Sequence, residues 1–228
     1  MPVLSNNERL LQVATALEEL NAEVVYVGGA VIQLYCRDTA ARNPMTTYDV
    51  DCVVDVVTYS GYLDFERKLF EKHFKNDTSE GAPICRYIFD GEKVDFMPKV
   101  DTGIGESNRW YLKGLEYRQA YRLDKEHVIY IMPVAFYLAS KLEALHSRGG
   151  NDYRGEKDFE DIVFVLNTCK QLLDDKDMIP ESDLWDYLRN EFAKILSRPN
   201  IREEVDSALL EDGRLDIVLE RMKEMKFA

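Results

Sequence analysis

Between Thr47 and Val57 the sequence alternates: Asp49, Asp51, Val53 and Asp55 fall on one parity, and Val50, Cys52, Val54 and Val56 on the other. Successive side chains of a β-strand point to opposite faces. The pattern therefore predicts a strand with one polar and one buried face. Asp49 and Asp51 then project from the same face, their Cα atoms about 6.5 Å apart, close enough to share one ion or to bridge two. Farther along, Ile84–Phe89 and Lys93–Met97 flank Asp90-Gly91, a strong hairpin signal. Asp95 lies on the second arm. If that arm runs alongside the Asp49 strand, three carboxylates form a hard-oxygen site. Such a site suits Mg²⁺, which keeps waters and takes up substrate phosphates.

Upstream, Val24–Val27 reads as a short buried strand, Gly28-Gly29 as a turn and Ala30–Cys36 as a short helix. A glycine turn lets the backbone approach phosphates, and a following helix start offers free N–H groups to an anion. Each feature alone has an ordinary explanation: a tight turn, a solvated strand face, a surface aspartate beside a hairpin. Together they describe a phosphate seat beside a metal cage. Two metals about 3.5–4 Å apart can hold the attacking and leaving oxygens of an in-line displacement. Asp49 and Asp51 would bind them. Asp95 would bind one and also take the proton of an attacking hydroxyl.

The remaining patterns organise the chain around this centre. Ser5-Asn6-Asn7-Glu8 has capping-box spacing ahead of Leu10, Leu11, Ala14, Leu17 and Leu20, predicting a helix from Asn6 to Asn21. Arg37–Thr46 reads as a polar loop broken at Asn43-Pro44, and Tyr62–Lys75 as a helix. From Pro133 the period becomes helical, through a helix to Ser147, a glycine-containing loop, and helices over Glu156–Leu172, Asp183–Ser197, Arg202–Leu210 and Leu215–Lys226. The expected fold is α+β: a small mixed sheet with flanking helices in residues 1–125, then a helical bundle in 126–228.

Composition narrows the alternatives. The 228 residues, 46% hydrophobic and 31% charged, suit one large or two small globular domains. No apolar run approaches the roughly 20 residues that span a bilayer. The first residues lack the basic start and apolar core of a signal peptide, giving an expectation of a cytoplasmic protein with no membrane partner. Cys36, Cys52, Cys85 and Cys169 are scattered, as are the three histidines, and none is assigned a metal. The net charge of −13 argues against nonspecific nucleic-acid binding over the whole surface, while leaving room for a local basic groove or a basic partner.

On Gly28-Gly29, Asp49-x-Asp51 and the third carboxylate Asp95, the sequence resembles the nucleotidyltransferase superfamily. Lys141-Leu142-Glu143-Ala144-Leu145 with Arg148, then Lys157-Asp158-Phe159-Glu160-Asp161, looks like the helical motifs of AbiEii/AbiGii-type nucleotidyltransferase toxins. Thr47, two residues before Asp49, fits that group as well. The resemblance spans Val24 to Leu166. It implies that Gly28, Gly29 and Thr47 belong to the nucleotide site and that Asp49, Asp51 and Asp95 hold Mg²⁺. It also implies that Lys141 meets the triphosphate of an NTP, with Asp158 and Asp161 lining the site. Two departures stand out: a longer spacing from Gly-Gly to Asp-x-Asp, with an insertion around Arg37–Met45, and the acidity of the chain.

Read without the resemblance, Lys141 lies among Leu138, Leu142 and Leu145, so it needs an anion or must snorkel. Asp158 and Asp161 share a helix face and suit an interhelical salt bridge equally well. The stretch Asn108–Arg122 interleaves Arg109, Lys113, Arg118 and Arg122 with Trp110, Tyr111, Tyr117 and Tyr121. That composition stacks bases, though packing of the aromatics against the sheet accounts for it more simply. The expected activity is NMP transfer from an NTP to an acceptor hydroxyl. Under the toxin-like reading the acceptor is RNA, with a tRNA 3′ end as one candidate, and an antitoxin protein would restrain the enzyme. A small hydroxylated molecule, as in antibiotic modification, is the alternative acceptor; a catalytically silent nucleotide-binding module is the third reading.

Overall fold

A computed structural model describes residues 4–36, 44, 46–104, 108–169, 172–209 and 211–228. The chain divides into two compact units, Met1–Val31 with Met45–Met132, and Ile32–Pro44 with Pro133–Ala228. The expected loop and insertion over residues 37–45 lie, apart from Pro44, outside the described residues. No described helix is long and apolar enough to cross a membrane.

The first unit is built on a mixed sheet. Its strands are β1 (Val24–Val27), β2 (Asp49–Val54), β3 (Lys75–Asn76), β4 (Arg86–Phe89), β5 (Glu92–Pro98), β6 (Gln119–Arg122) and β7 (Val128–Ile131). Their spatial order is β3-β4-β5-β2-β1-β7-β6. β2 runs parallel to β5 and β1 parallel to β7, and the other neighbours are antiparallel. The β4–β5 hairpin turns on Asp90 (φ 46°) and Gly91 (φ 84°), two consecutive left-handed residues of the kind that match the twist of the arms. Its α-helices among the described residues are α1 (Asn6–Leu17), α2 (Tyr59–Glu71) and the short α3 (Tyr111–Glu116).

Apolar burial explains why these elements stay together. Val50, Cys52, Val53 and Val54 of β2 and Val94 and Phe96 of β5 are almost fully buried. Phe65 of α2 meets Phe96 edge-on, and Phe74 and Tyr87 complete an aromatic cluster on the same ring. Ser5 and Glu8 form the capping box that starts α1. Arg9 and Glu92 make a buried ion pair between α1 and β5.

The elements depart from the sequence expectation in several places. The expected helix to Asn21 ends at Leu17 and continues as a 3-10 helix over Glu18–Glu23. Asn21 turns back and donates its side-chain amide to the carbonyls of Ala14 and Glu18, at 2.6 and 2.9 Å. The short helix expected over Ala30–Cys36 is likewise 3-10 and runs over Gly29–Tyr35. Strands β6 and β7, absent from the sequence reading, widen the sheet by an antiparallel pair.

The second unit is helical: α4 (Val134–Arg148), α5 (Lys157–Thr168), α6 (Ser182–Leu196), α7 (Ile201–Ala208) and α8 (Leu215–Lys226). Pro133 is the N-cap residue of α4, with extended ψ. α4 packs on α5 and α6, and α8 on α5, α6 and α7. Gly149 ends α4 at a point where a Cβ would lie 2.3 Å from the Leu145 carbonyl oxygen, so the close approach requires glycine. Tyr35 stacks on Tyr137 within this unit.

Candidate metal centre

The register of four neighbouring strands assembles the centre. On β5, Asp95 sits directly opposite Asp51 of β2 in a parallel pairing. On the far side of β5, Arg86 of β4 sits opposite Asp95, and on the far side of β2, Val27 of β1 sits opposite Asp51. Residues directly opposite one another share a face, so Arg86, Asp95, Asp51 and the end of β1 form one row across the sheet. Asp49, two residues before Asp51, joins the same face. Among the described residues, Asp49, Asp51 and Asp95 each offer a carboxylate oxygen within 4.8 Å of the others.

This geometry fits a divalent ion. Mg²⁺ binds hard oxygens at about 2.0–2.1 Å, which sets two oxygens on one ion about 3–4 Å apart. Two carboxylates at this separation repel by roughly 3 kcal/mol at an effective dielectric of about 20. Such a cluster needs a cation.

Arg86 already supplies one. Its Nε and Nη2 donate to the two oxygens of Asp95, each at 2.7 Å, and Nη2 also donates to Asp49 Oδ2 at 3.2 Å. Hydrogen bonds to Asp95 hold the guanidinium above its ordinary range, with the charges of Asp95, Asp49 and Asp51 adding to the effect. Each carboxylate oxygen has two acceptor positions, so Arg86 leaves capacity on Asp95 for an ion. The sequence reading missed Arg86, although the signal was present. A two-residue turn at Asp90-Gly91 pairs Phe89 with Glu92, and counting back along the arms sets Arg86 against Asp95.

The remaining predicted residues divide between the two units. Gly28 adopts φ +70°, and a Cβ there would lie 1.9 Å from Asp51 Oδ2. The glycine is thus required twice, by its left-handed backbone and by the carboxylate against it. Gly29 begins the 3-10 helix that follows. Thr47 donates its hydroxyl to Asp49 Oδ1 at 2.8 Å, while its backbone N–H is held by the Asn6 side chain at 3.1 Å. The first turn of α1 thereby orients the first aspartate through Thr47. Beneath the centre, burial and the charges of Asp51 and Asp95 push the Cys52 thiol upward, and burial with Asp95 pushes Cys85 up to about 12.

Lys141, Asp158 and Asp161 converge within the second unit. Lys141 Nζ lies 3.1 Å from Asp158 Oδ1 and 2.6 Å from Asp161 Oδ2, and Arg148 Nε lies 2.9 Å from Asp158 Oδ2. Burial opposes the charge on Lys141, but Asp161 and Asp158 outweigh it and hold the ammonium above its usual range. Burial likewise opposes Asp158 ionisation, and Lys141 and Arg148 bring that carboxyl below its usual value. In the aromatic stretch, Trp110 is buried, with the Arg109 guanidinium 4.9 Å from its ring centre. Arg118 lies over Tyr130 and 3.8 Å from Asp55. Trp110 therefore packs, as the simpler sequence reading expected.

No protein-family model and no curated protein matches the sequence. The crystal structure of an antigenic nucleotidyltransferase-like protein from Paracoccidioides brasiliensis aligns over 94% of this chain and 99% of its own, with 17% identity and a TM-score of 0.50. A Helicobacter pylori protein with a provisional nucleotidyltransferase designation aligns over 97% of this chain and 90% of its own, at 11% identity and a TM-score of 0.47. The first similarity is one of fold, and the fold is nucleotidyltransferase-like.

Proposed function

We propose that the protein is a Mg²⁺-dependent nucleotidyltransferase. The observation that carries this reading is the convergence of Asp49, Asp51 and Asp95 beside a glycine bend too tight for any side chain. Asp49, Asp51 and Asp95 would hold the metal, and Thr47 and Arg86 set the orientation of two of them. A bound divalent ion would neutralise charge building on the phosphates. Gly28 and Gly29 let the backbone approach the triphosphate of an NTP. The acceptor hydroxyl oxygen forms a bond to the α-phosphorus, the bond from that phosphorus to the bridging oxygen breaks, and pyrophosphate leaves. The hydroxyl proton passes to Asp95 or to water. The resemblance gives Lys141, Asp158 and Asp161 a part in nucleotide binding. Lys141, already paired with both aspartates, would exchange a carboxylate for a phosphate in that part.

RNA is the acceptor that the toxin-like motifs favour, with an antitoxin as protein partner. The net charge of −13 favours instead a small cationic acceptor, which an acidic protein attracts. Incubation with α-labelled NTPs, Mg²⁺, total RNA and a panel of hydroxylated small molecules separates the two. Label on RNA supports the first acceptor and label on a small molecule the second. Label on neither, across all four NTPs, overturns nucleotidyl transfer.

A further inference from the structure

Arg86 occupies a place that the activity alone does not call for. Its fork is locked on Asp95 by two equal bonds of 2.7 Å, while its contact to Asp49 is a single, longer one of 3.2 Å. The backbone register of the β4–β5 hairpin fixes its Cα opposite Asp95, and its side chain is only 18% exposed. A guanidinium does not lose its proton in proteins. The triad therefore carries a permanent positive group on one side, spanning the first and third carboxylates.

We propose that Arg86 is an internal counter-cation of the acidic centre, a positioning residue that pins Asp95 and makes an incoming divalent ion compete for Asp49. This rests on the metal-centre reading above. The asymmetry of the contacts sets the order of events. The two-pronged grip on Asp95 persists, whereas the longer prong on Asp49 is the one released when a divalent ion takes that carboxylate. Three carboxylates against one guanidinium leave a net negative centre that a doubly charged ion can still enter. Its affinity is lower than bare aspartates would give, and singly charged ions gain little over the resident group. A lysine could supply the charge but not the planar two-point grip.

The test titrates Mn²⁺ by electron paramagnetic resonance and Mg²⁺ by calorimetry, without nucleotide, into wild type, Arg86→Met, Arg86→Lys and Asp51→Asn. Arg86→Met is expected to bind Mn²⁺ about tenfold more tightly than wild type, with Arg86→Lys in between and Asp51→Asn weakest. Arg86→Met binding no more tightly than wild type, with an unchanged melting temperature, overturns the counter-cation role while leaving the metal centre intact. Absence of binding in wild type and in Arg86→Met overturns both. Should Arg86→Met not fold, ¹⁵N-arginine NMR of the wild type decides. The Arg86 Nε–H resonance, assigned by its loss in Arg86→Lys, is expected to shift along the calorimetric Mg²⁺ curve. A resonance that stays fixed through saturation sinks the proposal.

Discussion

The two units each hold a cluster of opposed charges, built to different balances. In the helical unit, Asp158 and Asp161 face Lys141 and Arg148, two acids against two bases. In the sheet unit, Asp49, Asp51 and Asp95 face Arg86, three acids against one base. The first cluster is closed, since each partner satisfies another and burial is offset within the group. The second has charge left over, held in place by strand register. The excess leaves the sheet cluster, unlike the helical one, with negative charge that its own partner does not neutralise.

Mutations on the two sides should therefore separate activity from stability. The largest effect expected is on turnover: Asp51→Asn should reduce nucleotidyl transfer by about a thousandfold. Because it relieves like-charge repulsion, it should leave the melting temperature unchanged or raise it. A falling melting temperature in calorimetry would mean that the triad is as balanced as the helical cluster. The opposite signature is expected of Lys141→Ala, which leaves buried Asp158 to Arg148 alone, takes the ammonium from half-buried Asp161 and should cost about 3 kcal/mol in denaturant unfolding. A loss below about 1 kcal/mol would break the contrast from the other side.

Smaller effects sharpen the comparison. Gly28→Ala places a methyl against Asp51 on a left-handed backbone. Activity should fall about a hundredfold, with a stability loss of roughly 1–2 kcal/mol; near-normal kinetics would show that the bend is free to move. The mildest is a pH effect on the helical cluster. Folded Asp158 holds its proton less tightly than the unfolded chain does, so its contribution is complete above the ordinary Asp value of about 3.9. It is lost as pH falls through the lower folded value. Melting temperature followed from pH 6 to pH 2.5 should drop less in Asp158→Asn than in wild type; parallel curves would remove Asp158 from the balance.

Local pattern carried much of this into view. The alternation of β2, the Asp90-Gly91 turn and the capping box at Ser5 are short-range signals, and each marks an element close to its observed place. So is the spacing of Asp49 and Asp51. What escaped depended on which strands and side chains find one another, which residue pattern alone does not state. β6 and β7 are short, and β6 is largely exposed; neither shows the alternation that announces β2. The early end of α1 comes from Asn21 reaching back to Ala14, a competition that periodicity does not register. Arg86 looked like one more charged strand residue until its partner across the hairpin was counted.

The parallel pairing of β2 and β5 has a consequence for how this protein comes to be competent. Asp51 and Asp95 stand side by side although a helix, a short strand and a hairpin arm separate them along the chain. A slip of β5 by a single position would turn Asp95 to the reverse side of the sheet. No fragment ending before β5 can hold the complete trio. The three carboxylates thus come together in one step, when β5 docks against β2 in register.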